Sequence, residues 1–227
     1  MNSASDVERL YLHGSGRTGT AAWPGQGAGA GEYLAFPEEA SIEEQVTHLV
    51  RDHAGRRVVV YAHSIGAVPA VLAAASSTLD VAGLVLVEPA LYDIARGAEA
   101  VERHIGLVSE ARSLSATGDL RGFWAIMRPL MFGGPFDATR WDQEHRLAEH
   151  SSRKNLPWGH GVRAPMVRGI PTLVVTGGWN DEYEEIATVL TAEGAEHRIL
   201  RGAQHRSQDL PEFAGMVDEF LRRAVGR

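Results

Sequence analysis

Residues 58–70 read VVVYAHSIGAVPA, and this segment is the most informative part of the sequence. Its first half is a β-branched and aromatic run with the length of a buried strand, and its second half has the composition of a helix. Between them lies Ser64, with the small residues Ala62 and Gly66 two positions away on either side. A serine on a sharp turn between a strand and a helix needs small neighbours, because larger ones would collide. The same residues are also compatible with a serine that only caps a helix.

Further apolar runs predict an alternation of strands and helices. Four runs bounded by turn residues have the composition of buried parallel strands, and a weaker fifth run comes before the last glycine-containing loop. The strand candidates are residues 7–13, 57–62, 82–87 and 171–176, with 197–200 as the weaker one. Helical patterns cover residues 41–52, 65–76, 182–193 and 211–224. Because parallel neighbours need a crossover, the alternation predicts an α/β fold with a mostly parallel sheet flanked by helices.

The alternation is interrupted once, between residue 91 and about residue 168, where the pattern is helical and contains no good strand candidate. We therefore expect a helical cap at residues 93–165, inserted into a core of residues 1–92 and 166–227 and not folding as an independent domain. Large apolar side chains in the cap are candidates for contacts with a substrate. These are Trp124, Met127, Met131 and Phe132. The alternative is that they form the cap's own core, since apolar residues at helical spacing usually pack together.

Composition excludes several classes of function. The chain has 227 residues, a formal charge of -7 and no run of basic residues, so we expect neither a nucleic-acid partner nor an anionic membrane surface. The absence of cysteine excludes disulfides, a thiolate nucleophile and thiolate metal ligands. No apolar run has the length of a membrane span and the first residues do not read as a signal peptide, so we expect a cytoplasmic protein.

The serine turn resembles the nucleophile elbow of α/β-hydrolases, with Ala62 at a position where the family pattern has glycine. Upstream, residues 12–16 read LHGSG and end the first strand with a His-Gly pair. The resemblance implies that Ser64 is the nucleophile and that the backbone N–H groups of Ser15 and Ile65 form the oxyanion hole. It also implies a smaller sheet than is usual, because the antiparallel strands that normally precede the His-Gly strand are absent.

The resemblance places the catalytic acid after the strand at 171–176, where residues 177–183 read GGWNDEY. Asp181 matches best, because Asn180 cannot carry the charge that stabilises an imidazolium and Glu182 has the position of a first-turn helix residue. Glu88 is a rival, since it ends its own strand and some members of the family take the acid from a different strand.

His205 matches the general base of the family. It follows a glycine in the loop between the last strand candidate and the last helix. Ser64, Asp181 and His205 then stand in the order of serine, acid and histidine that this fold uses. The remaining histidines do not have the spacing of a metal site, so we expect no metal and no cofactor.

The resemblance implies a serine hydrolase acting on a small molecule. The expected reaction is cleavage of a carboxylic ester, or of a related lactone, thioester or amide, through an acyl-enzyme on Ser64. The apolar cap favours a small to medium, partly apolar substrate. Two alternatives stay open, because a fold does not determine its chemistry. One is C–C bond cleavage or a lyase reaction by the same triad, and the other is a non-catalytic, ligand-binding homologue. The sequence leaves the oligomeric state unknown.

Overall fold

In the part of the chain that the structure describes, six strands form one parallel sheet. The computed structural model describes residues 7–37 and 39–226. The strands are β1 (Glu8–Leu12), β2 (Glu32–Leu34), β3 (Arg57–His63), β4 (Asp80–Val87), β5 (Thr172–Thr176) and β6 (Glu196–Ile199). Their order in space is β2-β1-β3-β4-β5-β6, and every neighbouring pair is parallel. The predicted α/β fold with a mostly parallel sheet is confirmed.

Four helices accompany the sheet, close to the positions that the sequence pattern predicts. They are α1 (Ile42–Asp52), α2 (Ala67–Ala74), α6 (Asp181–Ala192) and α7 (Glu212–Ala224). The start of α1 is fixed by a capping box, in which the Ser41 hydroxyl accepts from the Glu44 N–H at 3.2 Å and the Glu44 carboxylate accepts from the Ser41 N–H at 2.7 Å. Helix α2 is almost entirely buried, which explains why its sequence is apolar on all sides.

Strand β2 is not predicted by the sequence, because three residues are too few to show a periodic pattern. Pairing with β1 gives it its conformation. Tyr33 lies opposite Tyr11 in the ladder, and the two rings stack with centroids 4.7 Å apart. Gly31 lets the two strands approach, since a Cβ atom there would collide with the backbone of Arg9. The strand therefore depends on a close backbone contact that a local sequence pattern does not display.

Because all neighbouring strands are parallel, the carboxyl ends of the six strands lie at the same edge of the sheet. His63 at the end of β3 lies opposite Val87 at the end of β4, and Val87 lies opposite Val175 near the end of β5. The residues that follow β3 and β4 are Ser64 and Glu88. In a parallel sheet the loops at the carboxyl ends of the strands meet at this edge, and this is where such folds carry their sites.

The segment between β4 and β5 is helical. Among residues 88–171, all of which the structure describes, there is no strand. Three helices, α3 (Glu99–Ala116), α4 (Leu120–Phe132) and α5 (Trp141–Arg153), lie in a compact unit that runs from Gly97 to Asn155. Residues 93–96 and 156–165, which the sequence assigned to the cap, lie in the sheet unit, where the Asp93 carboxylate accepts from the N–H groups of residues 159–161 at 2.8 to 3.2 Å. In the described part of the chain, no helix has the length and apolarity needed to cross a bilayer.

The helical unit has a small core of its own around Trp124. This side chain is 0% exposed and packs with Phe123, Ala111 and Ala148. Its indole N–H donates to Glu144 at 2.7 Å. Burial of an aromatic side chain together with a satisfied polar group is typical of a structural residue.

We predict that Trp124→Ala destabilises the helical unit by about 3–5 kcal/mol, because it removes a fully buried indole and leaves a cavity. Phe132, on the same helix, is 55% exposed, and Phe132→Ala should change stability by less than about 0.5 kcal/mol. Urea denaturation followed by circular dichroism measures both variants. Equal losses of stability in the two variants would contradict the assignment of Trp124 to the core.

Candidate active site

Ser64 occupies a strained turn between β3 and α2. A short 3-10 helix, Ser64–Gly66, begins directly after the strand and leads into α2. The φ angle of Ser64 is 54°, in the left-handed region that non-glycine residues rarely adopt. Its carbonyl oxygen accepts from the Ala90 N–H at 3.1 Å, which helps to hold the turn in place. Strain of this kind persists only where the surrounding structure enforces it, and it concentrates at functional positions.

Two glycines let the loop after β1 pack directly against this turn. A Cβ atom on Gly14 would lie 2.8 Å from His63 Nδ1 and 3.0 Å from Ser64 Cβ. A Cβ atom on Gly66 would lie 2.8 Å from the carbonyl oxygen of His13. Any other residue at either position would push the loop away from the serine.

The two candidate oxyanion donors come from these packed segments. Ser15 lies in an exposed bend immediately after Gly14, and Ile65 is the second residue of the 3-10 helix. N–H groups in the first turn of a helix have no acceptor within the helix, so the Ile65 N–H is available to a ligand by geometry. His13 is turned toward its own loop, where its Nδ1 donates to the Gly14 carbonyl at 2.7 Å.

His205 lies beside the nucleophile turn, in the short helix Gln204–Asp209 that follows β6. The His63 side chain, next to Ser64, donates from Nε2 to the carbonyl oxygen of His205 at 2.8 Å. The two imidazole rings have centroids 4.7 Å apart. The His205 side chain is 33% exposed, so its ring is held in place and remains open to a ligand.

The carboxylate that faces His205 belongs to Glu88. His205 Nδ1 donates to Glu88 Oε2 at 3.4 Å. Glu88 directly follows β4, is 0% exposed, and has a φ angle of 45°. Its Oε1 accepts from the Gly177 N–H, and its Oε2 also accepts from the Trp179 indole N–H at 3.1 Å. A buried carboxylate with three donors is well suited to carry a negative charge.

The structure pairs His205 with Glu88 rather than with Asp181, the acid that the sequence favoured. Asn180 caps α6 by accepting from the Glu182 N–H at 3.0 Å. This cap makes Asp181 the first residue of the helix, where its side chain is exposed. Such a carboxylate interacts favourably with the helix dipole, which is a sufficient reason for an acidic residue there.

Glu182 is buried as well, and it belongs to a separate network. It accepts from the Tyr92 hydroxyl at 3.0 Å and from the Asn180 amide at 3.1 Å. Burial raises the pKa of Tyr92 well above its ordinary value. Burial also raises the pKa of Tyr183, whose ring centroid is 5.1 Å from that of His205. Both phenols therefore remain neutral hydrogen-bonding groups at physiological pH.

The sequence contains one signal for Glu88. All but the first two residues of β4 are buried, and a charged residue follows it immediately. A carboxylate at the end of a central, buried strand, beside the strand that carries the serine, needs partners within the protein. The polar and acidic residues at 177–183 are more conspicuous in the sequence. In the structure, Gly177 and Trp179 of this loop donate to Glu88, and Asn180 caps α6.

The four apolar candidates in the helical unit fall into two groups. Trp124 is buried in the core of that unit, and Met127 packs against the same core. Met131 and Phe132 are exposed, at 40% and 55%. The alternative interpretation, that such residues form the core of the helical segment, therefore describes Trp124 and Met127.

A model of the alpha/beta hydrolase family matches residues 10–216. The chain belongs to this family. The match extends from the first strand to the last helix and includes Ser64, Glu88 and His205. A comparison with curated protein sequences returns no match.

Solved structures with the same fold have low sequence identity to this alpha/beta hydrolase. MenH from S. aureus is 15% identical, with a TM-score of 0.58 over 98% of this chain and 96% of that one. A carboxylesterase structure from Nitrososphaera gargenis is 14% identical, with a TM-score of 0.60 over 99% and 93%. NosK from Streptomyces actuosus is 22% identical, with a TM-score of 0.52 over 96% and 99%. At these identities the similarity establishes the fold.

Within the described part of this alpha/beta hydrolase, no group of three histidine, aspartate or glutamate side chains has the arrangement of a metal site. The histidines next to the serine instead have hydrogen-bonding roles. Burial, reinforced by the neighbouring His205, holds the pKa of His63 well below its ordinary value. His63 is therefore neutral and carries its proton on Nε2, the nitrogen that donates to the His205 carbonyl.

This shift predicts a loss of stability in mild acid. The pKa of His63 is depressed in the folded state, so below about pH 6.5 the unfolded chain takes up a proton that the folded chain does not, at a cost of up to about 1.4 kcal/mol per pH unit. His63→Gln keeps an N–H donor for the His205 carbonyl but does not titrate. We expect its melting temperature to fall less than that of the wild type between pH 7 and pH 5.

A second histidine with a lowered pKa, His197, does not affect this comparison. Burial also lowers the pKa of His197, and this residue is present in both proteins, so its contribution cancels in the difference. If the melting temperatures of the wild type and of His63→Gln depend on pH in the same way, the pKa of His63 is not lowered by folding and the prediction is wrong.

Proposed function

We propose that this alpha/beta hydrolase is a serine hydrolase that cleaves a carboxylic ester through an acyl-enzyme on Ser64, with His205 as general base and Glu88 as the acid. The observation that carries the proposal is the arrangement at one edge of the sheet. A serine with a left-handed backbone directly follows β3, and His63 before it donates to the backbone of His205, whose own ring is hydrogen-bonded to a fully buried carboxylate. Nucleophile, base and orienting acid are the parts that triad catalysis requires.

The first half of the reaction forms the acyl-enzyme. His205 Nε2 removes the proton from Ser64 Oγ while the oxygen attacks the carbonyl carbon of the ester. The resulting oxyanion accepts from the N–H groups of Ser15 and Ile65. The C–O bond to the alcohol then breaks, and the alcohol leaves with the proton from His205 Nε2. Throughout this half, Glu88 accepts from Nδ1–H and stabilises the imidazolium.

The second half releases the acid. His205 Nε2 removes a proton from water, and the hydroxide formed attacks the acyl carbon while the same two N–H groups hold the oxyanion. The bond to Ser64 Oγ breaks, and the serine regains its proton from His205. No redox partner enters the balance, because the reaction consumes water and yields a carboxylic acid and an alcohol.

The preference for an ester rests on two considerations. Structures with this fold include a carboxylesterase from Nitrososphaera gargenis and an esterase from Thermogutta terrifontis. In this chain, half-exposed Trp179 and largely buried Tyr183 lie beside His205, and aromatic surface of this kind favours an apolar group on the substrate. We therefore propose a small to medium, partly apolar ester, with lactones, thioesters and amides as related possibilities.

The first test uses the nucleophile. Ser64→Ala should abolish covalent labelling by a fluorophosphonate probe and lower kcat on p-nitrophenyl esters by a factor on the order of 10⁶, because no oxygen remains to form the acyl-enzyme. The variant should melt close to the wild-type temperature, since the left-handed conformation at residue 64 is strained for either side chain. Undiminished ester hydrolysis by Ser64→Ala would contradict the proposal.

The second test distinguishes the two candidate acids. We expect Glu88→Gln to lower kcat about 10⁴-fold, because the neutral amide cannot stabilise the imidazolium. Asp181→Asn should leave kcat close to that of the wild type and lower stability by about 0.3–1 kcal/mol, through its weaker interaction with the dipole of α6.

Ester hydrolysis assays on both variants, with circular dichroism to confirm folding, make this comparison. If Glu88→Gln is partly unfolded, Glu88→Asp provides a second variant that keeps the charge and should retain more activity than the amide. An inactive Asp181→Asn beside an active Glu88→Gln would restore Asp181 as the acid.

A further inference from the structure

Trp179 makes a polar contact that its position in the fold does not require. It lies in the loop between β5 and α6, and 43% of its surface is exposed. An indole N–H at the surface of a protein can donate to water. Here it donates instead to Glu88 Oε2, an atom of a residue that is 0% exposed.

The oxygen that Trp179 binds is the one that faces His205. Glu88 Oε2 lies 3.1 Å from Trp179 Nε1 and 3.4 Å from His205 Nδ1. The other carboxylate oxygen, Oε1, accepts from the backbone N–H of Gly177. Both oxygens are therefore held by donors from the same loop, and the carboxylate cannot rotate without breaking one of these bonds.

A purely apolar role for Trp179 is the alternative. Its ring centroid lies 6.1 Å from that of Tyr183 and 6.2 Å from that of His205, so the ring could simply cover the histidine. That role needs the ring and does not need the N–H group. A bond from an N–H donor to a carboxylate, by contrast, is stronger than one between neutral groups and depends strongly on direction.

We propose that Trp179 is a positioning residue for catalysis, whose indole N–H fixes the Glu88 carboxylate so that Oε2 remains aimed at His205 Nδ1. The inference rests on the function proposed above. Without the N–H group, Oε2 keeps a single donor and the carboxylate can turn about the bond to Gly177. His205 is then oriented less well during proton transfer, while the ring keeps its contacts with the substrate.

The test removes the N–H group and keeps the ring. Site-specific incorporation of 3-benzothienylalanine at position 179 replaces the N–H of the indole by sulfur and preserves the bicyclic shape. Trp179→Phe is a second variant that also lacks the donor. Trp141→Phe is the matched control, because Trp141 lies in the helical unit, where its ring contacts Phe136 and His145.

The measurements are kcat and KM for p-nitrophenyl butyrate and the second-order rate constant for fluorophosphonate labelling of Ser64. We expect both variants at position 179 to lower kcat and the labelling rate about tenfold, the equivalent of one hydrogen bond to a charged group. KM should stay nearly unchanged in the benzothienyl variant, which keeps the ring, whereas Trp179→Phe also removes aromatic surface beside His205 and should raise KM. Trp141→Phe should leave all three quantities at their wild-type values.

The possible outcomes separate this inference from the function on which it rests. If the benzothienyl variant is as active as the wild type, the N–H group does not position Glu88 and the inference is overturned, whatever Trp179→Phe shows. If the benzothienyl variant raises KM and leaves kcat and the labelling rate unchanged, the N–H group acts on substrate binding and not on Glu88, and the inference is overturned. If the wild type itself is neither labelled nor active on esters, it is the proposed function that fails.

Discussion

The arrangement of the site depends on one buried charge, the carboxylate of Glu88. A carboxylate that is removed from water is costly unless donors replace its hydration. Its donors come from distant parts of the chain, namely the loop after β5, with Gly177 and Trp179, and the loop after β6, with His205. Satisfying this one group therefore brings two loops to the end of β4. The serine turn lies next to it, at the end of the neighbouring strand.

Close contact between backbone segments is the second requirement. Gly14 and Gly66 let the loop after β1 reach the serine turn, and Gly177 lets the backbone at Gln204 approach the end of β5. A side chain at any of these positions would separate the segments that the site needs together. The site therefore depends on these glycines as much as on its polar residues.

Backbone strain is concentrated at the same edge of the sheet. Within residues 7–37 and 39–226, the non-glycine residues with positive φ are Ser64, Glu88 and Gln204. They are the proposed nucleophile, the proposed acid and the residue before the proposed base. Strained conformations persist where the surrounding structure imposes them, and the sheet, the hydrogen bonds of Glu88 and the packed glycines provide that structure. Ser64 and Glu88 each directly follow a strand, and Gln204 directly precedes His205.

The α/β fold, the strand-turn-helix at Ser64 and the loop that carries His205 could all be predicted from the sequence. These features are local, since apolar runs, small residues around a serine and a glycine before a histidine can be read along the chain. Strand β2 was missed because it is three residues long and depends on pairing with β1. Which acid faces His205 is visible only in the tertiary structure, where the imidazole donates to Glu88. Both are acids at a strand end or loop, and the difference between them is which one is buried beside the imidazole. That property depends on the order of strands in the sheet and on the helix cap at Asn180, so no local pattern could display it.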